Sequence, residues 1–146
     1  MRTNLLNNPI FIFILFIITA IVTTISSIYF FSIMLAGVQF LAFRESLRNK
    51  YYYSLMFILL AFVFIEFNNG FKPFSLILLA FFTNLFIIPY LKRVISFNNL
   101  NNFAYIFWFY VSMGIVWMIT NDFSWLLVGT FFINIIIDFI IFGVFI

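Results

Sequence analysis

The sequence predicts an all-α protein, a polytopic membrane bundle of about six transmembrane helices that forms one domain over residues 1–146. Composition is the first reason, because 66% of the residues are hydrophobic, 8% are charged and the mean hydropathy is +1.24. Soluble domains are typically about 45–50% apolar and about 25% charged. A soluble chain this short buries only about two-thirds of the surface that its unfolded state exposes. We therefore expect a lipid bilayer to surround this protein.

Polar residues divide the first part of the chain. The first helix is expected to open at Asn8-Pro9, because proline is tolerated at the first helical position. The uncharged run Pro9–Phe43 has 35 residues. As one helix it would be about 52 Å long, whereas the hydrocarbon core is about 30 Å thick. A break in the hydroxyl-rich segment 23–27 would give two short spans. The alternative is one long helix that lies partly along the interface, which would give five spans.

Charges and turn residues mark the later boundaries. Arg44 to Lys50 is the first polar loop, and the Gly/Pro turn 68–73 follows the third span. Lys92-Arg93 ends the fourth span before a second polar loop at 96–102, and Asn121-Asp122 forms the last turn. The six expected spans cover residues 9–25, 28–43, 51–67, 74–91, 103–120 and 124–146.

The distribution of basic residues predicts the orientation, since cytoplasmic loops carry an excess of lysine and arginine. With six spans, both termini and the two polar loops lie on one side, and Lys72 alone lies on the other. The basic residues on the first side are Arg2, Arg44, Arg48, Lys50, Lys92 and Arg93. Both termini are therefore expected in the cytoplasm. Five spans would place Arg2 opposite the other basic loops.

The residue inventory argues against most chemistry. The chain has no cysteine and no histidine, and only four acidic residues. It contains no Gly-rich phosphate loop and no Ser-His-Asp set. We therefore expect no enzymatic activity, no metal and no cofactor. The seven basic residues form no continuous stripe, so nucleic acid is not an expected partner either.

Three polar residues are the candidates for a functional site. Asp138 lies roughly 12 Å from the cytoplasmic end of the last span, and Asn134 lies one turn earlier on the same helix face. Ionisable groups at membrane depth are functional candidates by default. This pair either contacts a partner protein or fixes the packing of the bundle. Glu66, at the end of span three, is expected at the outer interface, where it either pairs with Lys72 or acts as a solvated helix cap.

Three local patterns follow one another along this helix arrangement. A short first pair of spans leads through a basic loop to a helix that ends in an acid, Phe64-Ile65-Glu66, before the turn Asn69-Gly70-Phe71-Lys72-Pro73. Lys92-Arg93 closes span four. The last helix contains Asn134, three isoleucines and Asp138. Over residues 9–146 this order resembles the rod shape-determining protein MreD family, whose bundle is similar to the substrate-binding subunits of energy-coupling-factor vitamin transporters.

The resemblance implies a non-catalytic scaffold in the bacterial inner membrane. Members of that family bind the scaffold protein MreC, and through it a RodA-type polymerase, a transpeptidase and the MreB filament. The residues that would contact the partner are Asn134, Asp138 and then Glu66. One alternative is the substrate-binding subunit of a vitamin-type transporter, which needs a polar pocket that opens outward and small residues on its first helix. A small accessory subunit of a respiratory or secretion complex is the other alternative.

Overall fold

A computed structural model describes residues 5–29, 33–95 and 100–146. The described residues form six helices, and five of these are long and apolar enough to cross a membrane. This agrees with a multi-pass membrane protein. The helices are α1 (Pro9–Tyr29), α2 (Ala36–Asn49), α3 (Tyr52–Asn69), α4 (Ser75–Val94), α5 (Asn101–Thr120) and α6 (Trp125–Phe145).

Helix α1 starts where the sequence predicts, but the predicted break at 23–27 is wrong. Asn8 caps the helix, because its Oδ1 accepts a hydrogen bond of 3.0 Å from the Ile10 N–H. The helix continues through the hydroxyl-rich segment because these side chains bond to its own backbone. Thr23 and Thr24 donate to the carbonyl oxygens of residues 19 and 20, at 2.8 and 2.7 Å.

Helix α2 differs most from the prediction. It has 14 residues and is about 21 Å long, so it is too short to cross a hydrocarbon core of about 30 Å. The predicted span 28–43 is therefore wrong in its bounds, since residues 28 and 29 belong to α1 and α2 continues to Asn49. The predicted loop 44–50 is mostly helix as well. Arg44 and Arg48 lie within α2, and Lys50 follows it in the left-handed conformation at φ 58°.

The other predicted spans agree closely with helices α3 to α6. Gly70 ends α3 with a φ of 74° that favours glycine, which confirms the Gly/Pro turn. Inside α4, Thr83–Ile87 forms a π-helical turn in which the Ile88 N–H donates to the Thr83 carbonyl. This wider turn lies directly before Pro89, which has no N–H for a regular helix bond.

Contacts between helix ends show which ends lie together. The Asn49 side chain at the end of α2 donates to Asn7 Oδ1 before α1, at 2.6 Å. The ring of Phe103 at the start of α5 lies 5.2 Å from that of Phe142 at the end of α6. We call this side of the bundle the basic end, because its charged residues include Arg44, Arg48, Lys50, Lys92 and Arg93. The opposite end carries Lys72 and Asp122. Arg2 and most of the predicted loop 96–102 lie outside the described residues.

Helix α2 occupies the centre of the bundle. All residues from Ala36 to Phe43 are buried. The ring of Phe40 stacks on Phe109 of α5 with centroids 4.5 Å apart. The ring of Phe43 packs edge-on against Phe62 of α3 and Phe81 of α4, at 6.1 and 4.9 Å. The long helices therefore surround the first part of a short one, Ala36–Phe43, which the protein itself shields from lipid.

Candidate functional site

The two candidate residues of the last span lie on one face of α6 and are both fully buried. Oδ1 of Asn134 accepts a hydrogen bond of 2.8 Å from the Met34 N–H. Oδ2 of Asp138 accepts two, from the Gly37 N–H and from the Tyr110 hydroxyl, each at 2.7 Å. The structure thus brings the predicted pair together and joins it to the start of α2 and to α5.

Asn134 and Asp138 act as a helix cap supplied by another helix. The first N–H groups of an α-helix have no partner within that helix, and they are usually satisfied by a serine, threonine, aspartate or asparagine at the N-cap. Leu35 holds that position in α2, in the left-handed conformation at φ 54°, and has no side chain that can accept a hydrogen bond. Oδ2 of Asp138 replaces the missing cap, because it accepts the hydrogen bond of the Gly37 N–H.

This cap requires glycine at position 37. A Cβ atom there would lie 2.6 Å from Cγ2 of Ile106 and 2.7 Å from Oδ2 of Asp138. The side chain of Tyr110 would lie only 3.1 Å away. The absence of a side chain at Gly37 therefore lets α2 approach both α5 and α6 closely enough for its amide to reach the carboxylate.

Glu66 forms a second cap of the same kind. Its two carboxylate oxygens accept hydrogen bonds from the N–H groups of Phe74 and Leu76, at 2.8 and 2.6 Å. Phe74 is the N-cap of α4, again left-handed at φ 64° and again without a capping side chain. Glu66 is only 2% exposed, and the one ion pair among the described residues joins Arg48 to Glu45. The predicted exposed position of Glu66 and its pairing with Lys72 are therefore wrong, because the carboxylate turns inward to α4.

A third polar contact ties α1 to α2. The Gln39 side chain, which is fully buried, donates to the Thr19 hydroxyl at 2.7 Å. Its Oε1 has no hydrogen-bond partner in the described part of the chain. Near the opposite end, Asn68 of α3 donates to the Thr23 hydroxyl at 3.2 Å. Polar side chains thus connect α1 to α2 and α1 to α3.

The basic residues differ in their contacts and in their exposure. The guanidinium of Arg44 lies over the ring of Tyr105, 4.5 Å from its centroid. Arg48 pairs with Glu45 one turn earlier in α2, at 2.5 Å. Lys92 and Arg93 occupy the exposed last turn of α4, where the sequence predicts the end of a span.

Three hollows matter for ligand or partner binding. The largest, of about 500 Å³, is a groove between α4 and α5. An apolar slot of about 280 Å³ lies between α1, α2 and α6. A third hollow of about 250 Å³ opens between α3, α5 and α6 at the opposite end, with Asn69, Ser124 and Thr130 among its lining residues.

The buried acidic side chains of the site bond to neighbouring helices. Within the ranges that the structure describes, no three side chains of the metal-binding types lie together. Glu66 accepts hydrogen bonds from backbone amides at the start of α4, and Asp138 accepts one from the start of α2 and one from the Tyr110 hydroxyl. Sequence reasoning missed Gly37 and Tyr110. The small pair Ala36-Gly37 within a bulky apolar run was the one available signal.

Comparison of the chain with protein-family models, with curated proteins and with solved structures gives no significant match.

Proposed function

We propose that this chain is a non-catalytic scaffold subunit of the bacterial cell-wall elongation complex, in which its bundle anchors the transmembrane helix of an MreC-like partner. The observation that carries the proposal is the use of the deep polar side chains. Asn134, Asp138 and Glu66 accept hydrogen bonds at the starts of α2 and α4, which supports a role in the architecture of the bundle.

The residue patterns support the choice of family. Glu66 before the Gly/Pro turn, and Asn134 with Asp138 in the last helix, are two of the patterns that resemble the MreD family. In this chain each pattern corresponds to one capping arrangement. A scaffold needs such a rigid bundle and needs no reactive group. Through the MreC-like partner, the chain would join a RodA-type polymerase and a transpeptidase in the inner membrane.

The partner helix is proposed to dock in the groove between α4 and α5. Membrane helices associate through close packing, which small residues at the interface permit. Ser75 of α4 and Ser112 of α5 line this groove among larger apolar side chains. Contact through Asn134, Asp138 or Glu66 themselves would require the bundle to open, because none is more than 2% exposed.

The proposed orientation places the basic end, and with it both termini, in the cytoplasm. The positive-inside rule is the reason. The chain has no cysteine, so a single engineered cysteine reports its own side without background. Cysteines at positions 50 and 92 should resist an impermeant thiol reagent in whole cells, and a cysteine at position 72 should react. Labelling of positions 50 and 92 from outside would reverse the orientation.

Affinity purification in mild detergent tests the function. We expect the wild-type chain to recover a single-span scaffold protein together with wall-synthesis enzymes. Leu78→Trp places a bulky ring in the groove and should reduce this recovery. The matched control is Ile133→Trp, because Ile133 is exposed on α6 and lines none of the three hollows. Equal recovery with both variants would remove the groove from the proposal.

One observation favours a second candidate, the substrate-binding subunit of a vitamin-type transporter. The hollow at the opposite end has polar lining residues and opens beside the C-terminal ends of helices α3 and α5. An outward-facing substrate pocket would have the same position. The lipid-facing side of α1, in contrast, carries large residues such as Ile10, Ile17 and Ile21, where a transporter partner would need small ones. Recovery of an ATP-hydrolysing pair without any wall-synthesis protein would replace the scaffold proposal with this one.

A further inference from the structure

Charge is distributed unequally between the two ends of the bundle. The basic end has five cationic side chains within the described ranges, and its acidic residue is Glu45. The opposite end has Lys72 and Asp122 in exposed positions. Because helix ends lie at the depth of the lipid headgroups, the basic end presents a concentrated positive field to one membrane surface.

Arg44 differs from the other cations at this end. Its guanidinium lies over the ring of Tyr105, and that ring is held in place because Tyr105 is only 2% exposed. The ion pair that the structure describes uses Arg48 and Glu45, so Glu45 does not neutralise Arg44. Arg44 is half-buried, and its guanidinium carries five N–H donors in a rigid fork that matches the geometry of a phosphate.

We propose that the basic end binds an anionic phospholipid, with Arg44 as the residue that holds the lipid phosphate. A guanidinium can form two parallel hydrogen bonds to one phosphate. The aromatic ring fixes the group before the lipid arrives, so little side-chain freedom is lost on binding. Lys50, Lys92 and Arg93 are exposed, and they add attraction that favours lipids with a net negative charge over zwitterionic ones. This inference does not depend on the proposed scaffold function.

The test uses the full chain, purified in a neutral detergent and titrated with phosphatidylglycerol or with phosphatidylcholine of the same acyl chains. Native mass spectrometry counts the bound lipids, and thermal unfolding reports stabilisation. We expect phosphatidylglycerol to bind and to raise Tm, and phosphatidylcholine and inorganic phosphate to do neither.

Matched variants separate a site at Arg44 from a general effect of charge. Arg44→Gln should weaken phosphatidylglycerol binding by at least about five-fold. Arg44→Lys, which keeps the charge and loses the paired hydrogen bonds, should weaken it to a smaller extent. Lys72→Gln removes the same charge at the opposite end and should leave binding unchanged. The Tm without added lipid shows whether each variant is folded. If Arg44→Gln does not fold, the comparison of Arg44→Lys with the wild type is the test.

Several results would overturn the inference. Equal binding of the two phospholipids would remove the preference for negative charge. Equal loss in Lys72→Gln and Arg44→Gln would leave only a general electrostatic effect. Stabilisation by inorganic phosphate to the same extent as by phosphatidylglycerol would assign the site to a soluble anion. Stabilisation by an acidic peptide in place of the lipid would assign it to a protein partner.

Discussion

Gly37→Ala is the sharpest test of how the bundle is held together. The new methyl group would lie 2.6 Å from a side-chain carbon of Ile106 and 2.7 Å from the Asp138 carboxylate. The helices must therefore separate, or the Asp138 carboxylate must move and lose its hydrogen bond from the amide at position 37. Overpacking of this kind costs about 1–3 kcal/mol, and a typical hydrogen bond contributes about 0.5–1.5 kcal/mol. We expect the free energy of unfolding to fall by about 2–4 kcal/mol.

Denaturant unfolding in mild detergent measures this change, with Gly129→Ala as the control. Gly129 also lies in a helix, and a Cβ atom there meets nothing within 4 Å. Because alanine is the better helix former by about 1 kcal/mol, the control should be as stable as the wild type or more so. Hydrogen exchange of the Met34 amide should accelerate in Gly37→Ala only. If both variants unfold at the same denaturant concentration, the close approach of α2 to α6 is not a source of stability.

Three further substitutions test the polar contacts. Asp138→Leu leaves two buried donors unpaired, at about 1–3 kcal/mol each, and Asp138→Asn should be less harmful because it keeps an acceptor. Folded protein and recovered partner should fall together in Asp138→Leu, and a loss of partner alone would assign Asp138 to docking. Glu66→Leu should destabilise the start of α4 and speed amide exchange there, whereas Asp122→Asn, at an exposed acid, should not. Gln39→Met should change the free energy of unfolding by less than about 1 kcal/mol, because Gln39 already leaves one buried oxygen unpaired. A larger loss of stability would show that the hydrogen bond from Gln39 to α1 outweighs the cost of that unpaired oxygen.

The sequence predicts the later helices well and the first two poorly. Boundaries of α3 to α6 are marked by charges, asparagines and the glycine at position 70, which are incompatible with the hydrocarbon core or with a continuing helix. The hydroxyls of Thr23 and Thr24 look like a break in the sequence, but they bond inside α1. The first part of α2, Ala36–Phe43, is apolar except for Gln39, as a lipid-facing span would be. Because lipid tails and protein interiors are equally apolar, composition alone does not show which of the two surrounds a segment.

The candidate site was predictable only in part for a similar reason. Helical spacing correctly places Asn134 and Asp138 on one face, since that is a local property. Their backbone partners in α2 and just before it lie about 100 residues earlier in the chain, with separations of 100 for the Met34 contact and 101 for the Gly37 contact. No local pattern identifies such a pairing. The inward position of Glu66 was missed because the backbone of the following turn, and not the nearby Lys72, supplies its hydrogen bonds.

The start of α2 is capped by side chains of α6, and this has a consequence for biosynthesis. A ribosome delivers α1 and α2 long before it reaches Asn134 and Asp138, so the early segment enters the membrane with the amides of Met34 and Gly37 still lacking their acceptors. Unpaired amides are costly in hydrocarbon. We therefore expect the short helix to reach its final depth only after the last segment has been inserted.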